Sequence, residues 1–143
     1  MTQLSPHFTL AELTVTDHRE LDNTPSDEVI ANLTRLAEFL ERVKVLLGGK
    51  PIMVNSAYRS PAVNEAVGSK GTSQHILGCA ADIRVPGMTP DEVCKAVIGS
   101  DLPFDQIIRE FDRWTHVSVP SRLGELPRGQ ALIIDRSGTR KYE

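Results

Sequence analysis

The sequence predicts an α+β domain in which helices pack against a mainly antiparallel sheet. Three observations predict it. A long apolar pattern at helical spacing runs through residues 30–47. Several short β-type runs follow it, separated by Gly and Pro. The 143 residues suffice for one core and one domain.

The elements are expected in this order. Residues 1–23 form an N-terminal arm with a brief apolar pattern, Phe8, Leu10 and Leu13. The stretch TPSDEV then reads as a helix start. Thr24 is placed to cap, Pro25 fits the first helical position, and acidic residues load the first turn. Ile30, Leu33, Leu36, Ala37, Leu40, Val43 and Leu47 continue the apolar face. Gly48 and Gly49 stop the helix.

PIMVNS (51–56) reads as a short strand. SPAVNEAVG follows as a short helix, with Ser60 as cap, Pro61 in first position and Gly68 as stop. A polar loop, GSKGTSQ, leads to His75, and CAADIRV forms the next strand. In TPDEVCKAVIG, Thr89 and Glu92 are spaced as a capping box, which opens another helix. FDQIIREF and WTHVSV read as two strands with a tight connection near Asp112 and Arg113, and ALIIDR as a last strand.

Composition excludes several classes. About 40% apolar and 24% charged residues are ordinary values for a globular protein. A net charge of −3 gives no nucleic-acid footprint. No apolar stretch approaches the ~20 residues that span a bilayer, so no stable membrane association is expected. The first residues, MTQLSPHFTL, lack a basic region followed by an apolar run, so a cytoplasmic location is expected. Cys79 and Cys94 make no disulfide framework. Cys79 lies inside the stretch SQHILGCAAD taken up next, as a thiolate ligand or a small buried residue; burial is the commoner fate.

The chemistry concentrates in SQHILGCAAD and WTHVSV. On strands, alternate residues share a face, so Asp82 groups with Ala80 and Arg84, and His116 with Ser118. His75 sits just before its strand, where a loop can turn the imidazole inward. Gly78 permits the bend, and Ala80 keeps the ligand face uncrowded. Two imidazoles and one carboxylate suit Zn2+ and leave a fourth position for water. His7 and His18 have no matching spacing and are read as solvated.

The pattern S-x-H-x-x-G-x-A-x-D followed by W-x-H-V-S resembles the zinc peptidase family of D-Ala-D-Ala carboxypeptidases. That family includes phage endolysins that cut cell-wall peptides, and its fold is shared by Hedgehog signalling domains. The matching residues are Ser73, His75, Gly78, Ala80, Asp82, Trp114 and His116. SAYRSP matches the stretch before the first ligand, and FTLAEL is similar to a phage-associated branch. The resemblance covers roughly residues 7–119. It implies a Hedgehog/D-Ala-D-Ala peptidase-like fold, zinc on His75, Asp82 and His116, and a peptidoglycan peptide as substrate. It implies that Arg59 contacts substrate, since a guanidinium holds a carboxylate or carbonyl through two hydrogen bonds. Ser73 and Gln74 are read as residues that position the peptide, and Trp114 as a wall of the cleft or hairpin filler. A phage-dependent release to the cell wall suits the same resemblance.

A metallopeptidase also needs a general base. Several relatives carry an acid three positions before the last His, where this chain has Arg113. Others carry a histidine five before it, where this chain has Phe111. The Hedgehog-like pattern puts a glutamate six before, and Glu110 fits it. If three or five residues join the two strands, Glu110 faces His116. If only Asp112 and Arg113 join them, Glu110 opposes Thr115 and points away. Function asks for the first arrangement, with Asp112 as the fallback base. Arg113 at the usual acid position leaves a second class of function open, an inactive zinc-stabilised binding or phage structural module.

Overall fold

A computed structural model of the chain describes residues 2–69, 71 and 73–142. Two strands, β1 (Gln3–Ser5) and β2 (Phe8–Thr9), form a small hairpin that leads into a short helix, α1 (Leu10–Leu13). A capping box closes the start of α1. Thr9 accepts from the Glu12 N–H, and the Glu12 carboxylate accepts from the Thr9 N–H. The expected N-terminal arm is thus tied down, with Phe8 and Leu13 inside the core. Ser5 and the His7 N–H both donate to Glu41 Oε2 at 2.6 Å, fastening the hairpin to the long helix.

That helix, α2 (Asp27–Leu46), starts two residues later than Thr24 predicts. The Thr24 N–H is taken by Asp22 Oδ1 at 2.9 Å, which keeps the chain extended through Pro25. Ser26 caps instead, accepting from the Val29 N–H, and Asp27 and Glu28 load the first turn. Leu33, Leu36, Ala37, Leu40 and Val43 are fully buried on one face. Each large aliphatic among them contributes about 1.5–3 kcal/mol of transfer free energy. Gly48 and Gly49 take positive φ of 75° and 83° and end the helix.

The main sheet has six strands in the order β3-β4-β6-β5-β7-β8. These are β3 (Met53–Ser56), β4 (Ala80–Arg84), β5 (Gln106–Glu110), β6 (Trp114–Ser118), β7 (Gln130–Asp135) and β8 (Gly138–Lys141). Only β5 and β7 pair in parallel; the other pairings are antiparallel. The last strand of the sequence reading is therefore a hairpin. β8 escaped detection because Gly138, Thr139, Arg140 and Lys141 are all exposed and carry no alternation.

Between strands lie α3 (Pro61–Ala66), a 3-10 turn (Gln74–Leu77) and α4 (Pro90–Ile98). Ser60 caps α3, with Pro61 in its first turn, and Thr89 and Glu92 form the expected box on α4. Of the polar loop expected over 68–74, Lys70 and Thr72 lie outside the described residues. One core joins α2 and α4 to Ala81, Ile83, Ile107 and Val117. Their neighbours Asp82, Ile108 and His116 point to the other face, so the alternation of each strand splits core from site. No helix among the described residues is long and apolar enough to cross a membrane.

Candidate metal centre

His75 stands in the 3-10 turn, which Ser73 caps by accepting the His75 N–H at 3.2 Å. Gly78 closes the turn at φ 77°, against α2. An added Cβ there would meet Val29 Cγ1 at 3.0 Å and the Val29 carbonyl at 3.1 Å. Glycine is needed both for the backbone angle and for the close approach. His75 Nδ1 lies 2.6 Å from the Ala57 carbonyl oxygen. A carbonyl only accepts, so Nδ1 carries the proton and Nε2 presents a lone pair.

That lone pair faces Asp82 Oδ1 at 3.4 Å. Asp82 on β4 is directly opposed to His116 on β6, and His116 Nδ1 lies 3.0 Å from the same oxygen. The three ligand atoms all fall within 4.8 Å of one another. Ligands at ~2.0–2.1 Å around a tetrahedral ion stand about 3.3 Å apart, a value that the His75–Asp82 and Asp82–His116 distances of 3.4 and 3.0 Å bracket. Two imidazole nitrogens and a carboxylate, with a backbone carbonyl fixing one tautomer, form a donor set suited to zinc.

The electrostatics agree. Burial pushes the His75 imidazole toward its neutral, ligating form. Burial alone would raise Asp82, but hydrogen bonds with His116 and His75 outweigh it and hold the carboxyl well below the usual range.

Glu110 completes the group. Three residues, Phe111, Asp112 and Arg113, join β5 to β6, so Glu110 pairs with Trp114 and Ile108 with His116. This is the first of the two arrangements weighed from the sequence. The connection is tight because Phe111 and Asp112 both take left-handed φ, 54° and 53°, and the Arg113 N–H closes onto the Glu110 carbonyl. Glu110 Oε1 then lies 3.9 Å from His116 Nδ1, while Oε2 accepts the Trp114 indole N–H at 3.0 Å. Burial and the Asp82 charge raise the Glu110 carboxyl above its ordinary value. Asp112 is mostly exposed and pairs with Arg109 Nε at 3.1 Å. Arg109 points to the opposite face from Glu110, toward Asp91.

Arg59 approaches from the other side. Its guanidinium is buried enough to lower its pKa, against the pull of Asp82 and Glu110. Its Nε has no hydrogen-bond partner among the described residues. Its backbone N–H donates to the His75 carbonyl, linking it to the first ligand.

Ser73 and Gln74 line a cleft that also includes His116. The Gln74 carboxamide donates to Asp105, the Val119 carbonyl and Ser121, each at 3.1 Å, so it braces this corner. Trp114 lines a second groove with Phe111 and Arg113. Cys79 is buried, with its thiol raised by desolvation and 3.7 Å from Arg35, and stands outside the ligand cluster. His7 pairs with Glu41 and His18 with Glu20. Sequence reasoning missed Asp105 and Arg128. Asp105 is a nearly buried carboxylate at the foot of β5, and nothing in its local pattern separates it from a turn residue.

The profile of the peptidase M15 family matches residues 6–118. The chain belongs to the peptidase M15 family. The match holds His75, Asp82, His116, Glu110 and Arg59, and it ends at the last residue of β6. The strands β7 and β8 and the loop before them lie beyond the M15 match. No curated protein matches this M15 chain.

Proposed function

We propose that this M15 chain is a zinc-dependent peptidase that hydrolyses peptidoglycan stem peptides. The observation that carries the reading is the convergence of His75, Asp82 and His116, with Glu110 at 3.9 Å from the last ligand. His75 Nε2, His116 Nδ1 and Asp82 Oδ1 would hold the ion. Zinc bound there supplies a Lewis acid for a carbonyl oxygen and lowers the pKa of water to near ~7.

The chain's own groups do the rest. Glu110, whose carboxyl burial and the Asp82 charge raise above its ordinary value, takes a proton from the attacking water and returns it to the leaving amine. Trp114 holds one oxygen of that carboxylate, which leaves the other aimed at the reacting side. Arg59 brings a half-buried cation whose Nε has no partner among the described residues, suited to a substrate carboxylate or carbonyl. Ser73 and Gln74 wall the cleft beside His116, and Trp114 lines the neighbouring groove. Asp112 is directed elsewhere by Arg109, which favours Glu110 as the base.

The FTLAEL resemblance supports an endolysin-type role, with the protein released from the cytoplasm to the cell wall; a carboxypeptidase uses the same chemistry. The structure gives that segment a supporting task, since the Tyr58 N–H donates to the Leu13 carbonyl next to Arg59. Arg113 at the usual acid position favours the competing reading, an inactive zinc-stabilised module. Mass spectrometry of purified peptidoglycan digested with and without chelator separates them. Metal-dependent release of stem-peptide fragments, lost in Glu110→Gln with zinc retained, is the expected result. Bound zinc with no cleaved wall peptide would establish the module instead.

A further inference from the structure

The cleft beside His116 is walled by Ser73, Gln74, Gln106, Ile108 and Arg128. Arg128 lies outside the M15 match, in the segment that leads to β7. It is held unusually firmly for a side chain that is 53% exposed. Its Nε lies 3.2 and 3.1 Å from the two Asp105 oxygens, and Nη2 donates to Oδ2 at 2.7 Å. Its backbone N–H donates to Asp105 Oδ1 at 2.9 Å. Nη2 also reaches Gln74 Oε1 at 3.4 Å. Nη1 enters none of these bonds.

Asp105 is only 2% exposed, so the anchor is a buried carboxylate and not a mobile surface ion pair. A guanidinium fixed along one edge keeps its remaining donors in place, with less rotamer entropy left to lose on binding. Among the described residues lining the cleft, no acid competes for them.

The position is as informative as the chemistry. Arg59 is drawn first by Asp82 in the cluster itself; Glu110 also draws it, while Asp105 holds Arg128. Glu110 and Asp105 stand at opposite ends of β5, and His116 is opposed to Ile108 between them. Five residues of strand separate the two ends, roughly 17 Å at 3.4 Å per residue. Arg128 and His116 line one cleft, with Arg128 at the Asp105 end of β5 and away from Glu110.

We propose that Arg128 binds a carboxylate of an acidic peptide substrate, several residues from the scissile bond, so that the cleft selects peptides that carry one there. This rests on the peptidase reading of the centre. The carboxylate can come from an acidic side chain or from a free chain terminus.

The test compares synthetic stem peptides by isothermal titration calorimetry on the metal-free full chain, where no turnover occurs. Four forms are used: all carboxylates free, side-chain carboxylates amidated, terminus amidated, and both amidated. Removing the recognised carboxylate is expected to weaken binding about 10-fold or more. Arg128→Gln is expected to abolish that preference, and Arg128→Lys to restore part of it. Side-chain or terminal amidation alone identifies the source. Equal affinity of wild type for all four forms would overturn the proposal without reliance on any variant. Discrimination undiminished in Arg128→Gln for every carboxylate, with its thermal unfolding intact, would overturn it too. If the zinc-loaded protein cleaves none of the peptides while Arg128-dependent discrimination persists, the hydrolytic reading fails and the subsite stands.

Discussion

The indole N–H of Trp114 donates to Glu110 Oε2 at 3.0 Å across the β5–β6 connection, and the other Glu110 oxygen lies 3.9 Å from His116 Nδ1. One oxygen of the carboxylate is thus held by the indole, and the other is left facing His116. The three-residue turn makes this possible by placing Glu110, Trp114, Ile108 and His116 on one face.

Glu110→Gln should lower kcat for stem-peptide hydrolysis by about 10²–10⁴-fold, the range for a lost general base. Zinc content should remain that of wild type. Trp114→Phe should lower kcat by about 10-fold, the effect of one charge-assisted hydrogen bond, with KM little changed. Steady-state kinetics with metal analysis of each variant checks both.

Zinc should raise the thermal unfolding midpoint, because it binds the folded cluster in preference to the dispersed ligands of the unfolded chain. Chelator should reverse the shift. Asp82→Asn and His116→Ala should each abolish most of it, since a single ion in this cluster would need all three ligands. Differential scanning calorimetry with and without zinc gives the answer. A shift of equal size in both variants would remove the cluster from consideration.

Gly78→Ala should destabilise the fold by about 2 kcal/mol or more. The new Cβ meets the Val29 backbone as well as its side chain, at a φ of 77°. Because Gly78 ends the turn that carries His75, zinc affinity should fall along with stability. Urea unfolding and a zinc titration on the same variant measure the two effects.

Acid should selectively weaken the Asp105–Arg128 bond. Burial alone would raise the Asp105 carboxyl, but the hydrogen bonds from Arg128 outweigh it and hold its folded pKa below the ordinary value. Its stabilising effect is therefore fully present above the ordinary carboxylate pKa of about 4 and is lost as pH falls through the depressed folded value. Arg128→Gln should cost about 1–3 kcal/mol at pH 7 by leaving a buried carboxylate short of donors. The gap between wild type and variant should narrow as pH falls below about 4. Urea unfolding across that range tests the sign.

The sequence by itself determined what local forces decide. The caps on α3 and α4, the glycine stop of α2 and the ligand types at 75, 82 and 116 follow from side-chain chemistry within a few residues. The sequence pattern starts α2 two residues early, at Thr24, whose backbone N–H is taken by Asp22, and Ser26 caps instead. Tertiary structure alone decided the rest. Strand register brought Asp82 opposite His116, the left-handed turn at Phe111 and Asp112 brought Glu110 beside them, and the parallel β5–β7 pairing extended the sheet past the M15 match. It also buried Asp105 beneath Arg128, 23 residues away. Capping and periodicity are short-range and leave marks in neighbouring residues. Pairing and burial join distant segments, and their free energy depends on where the chain returns.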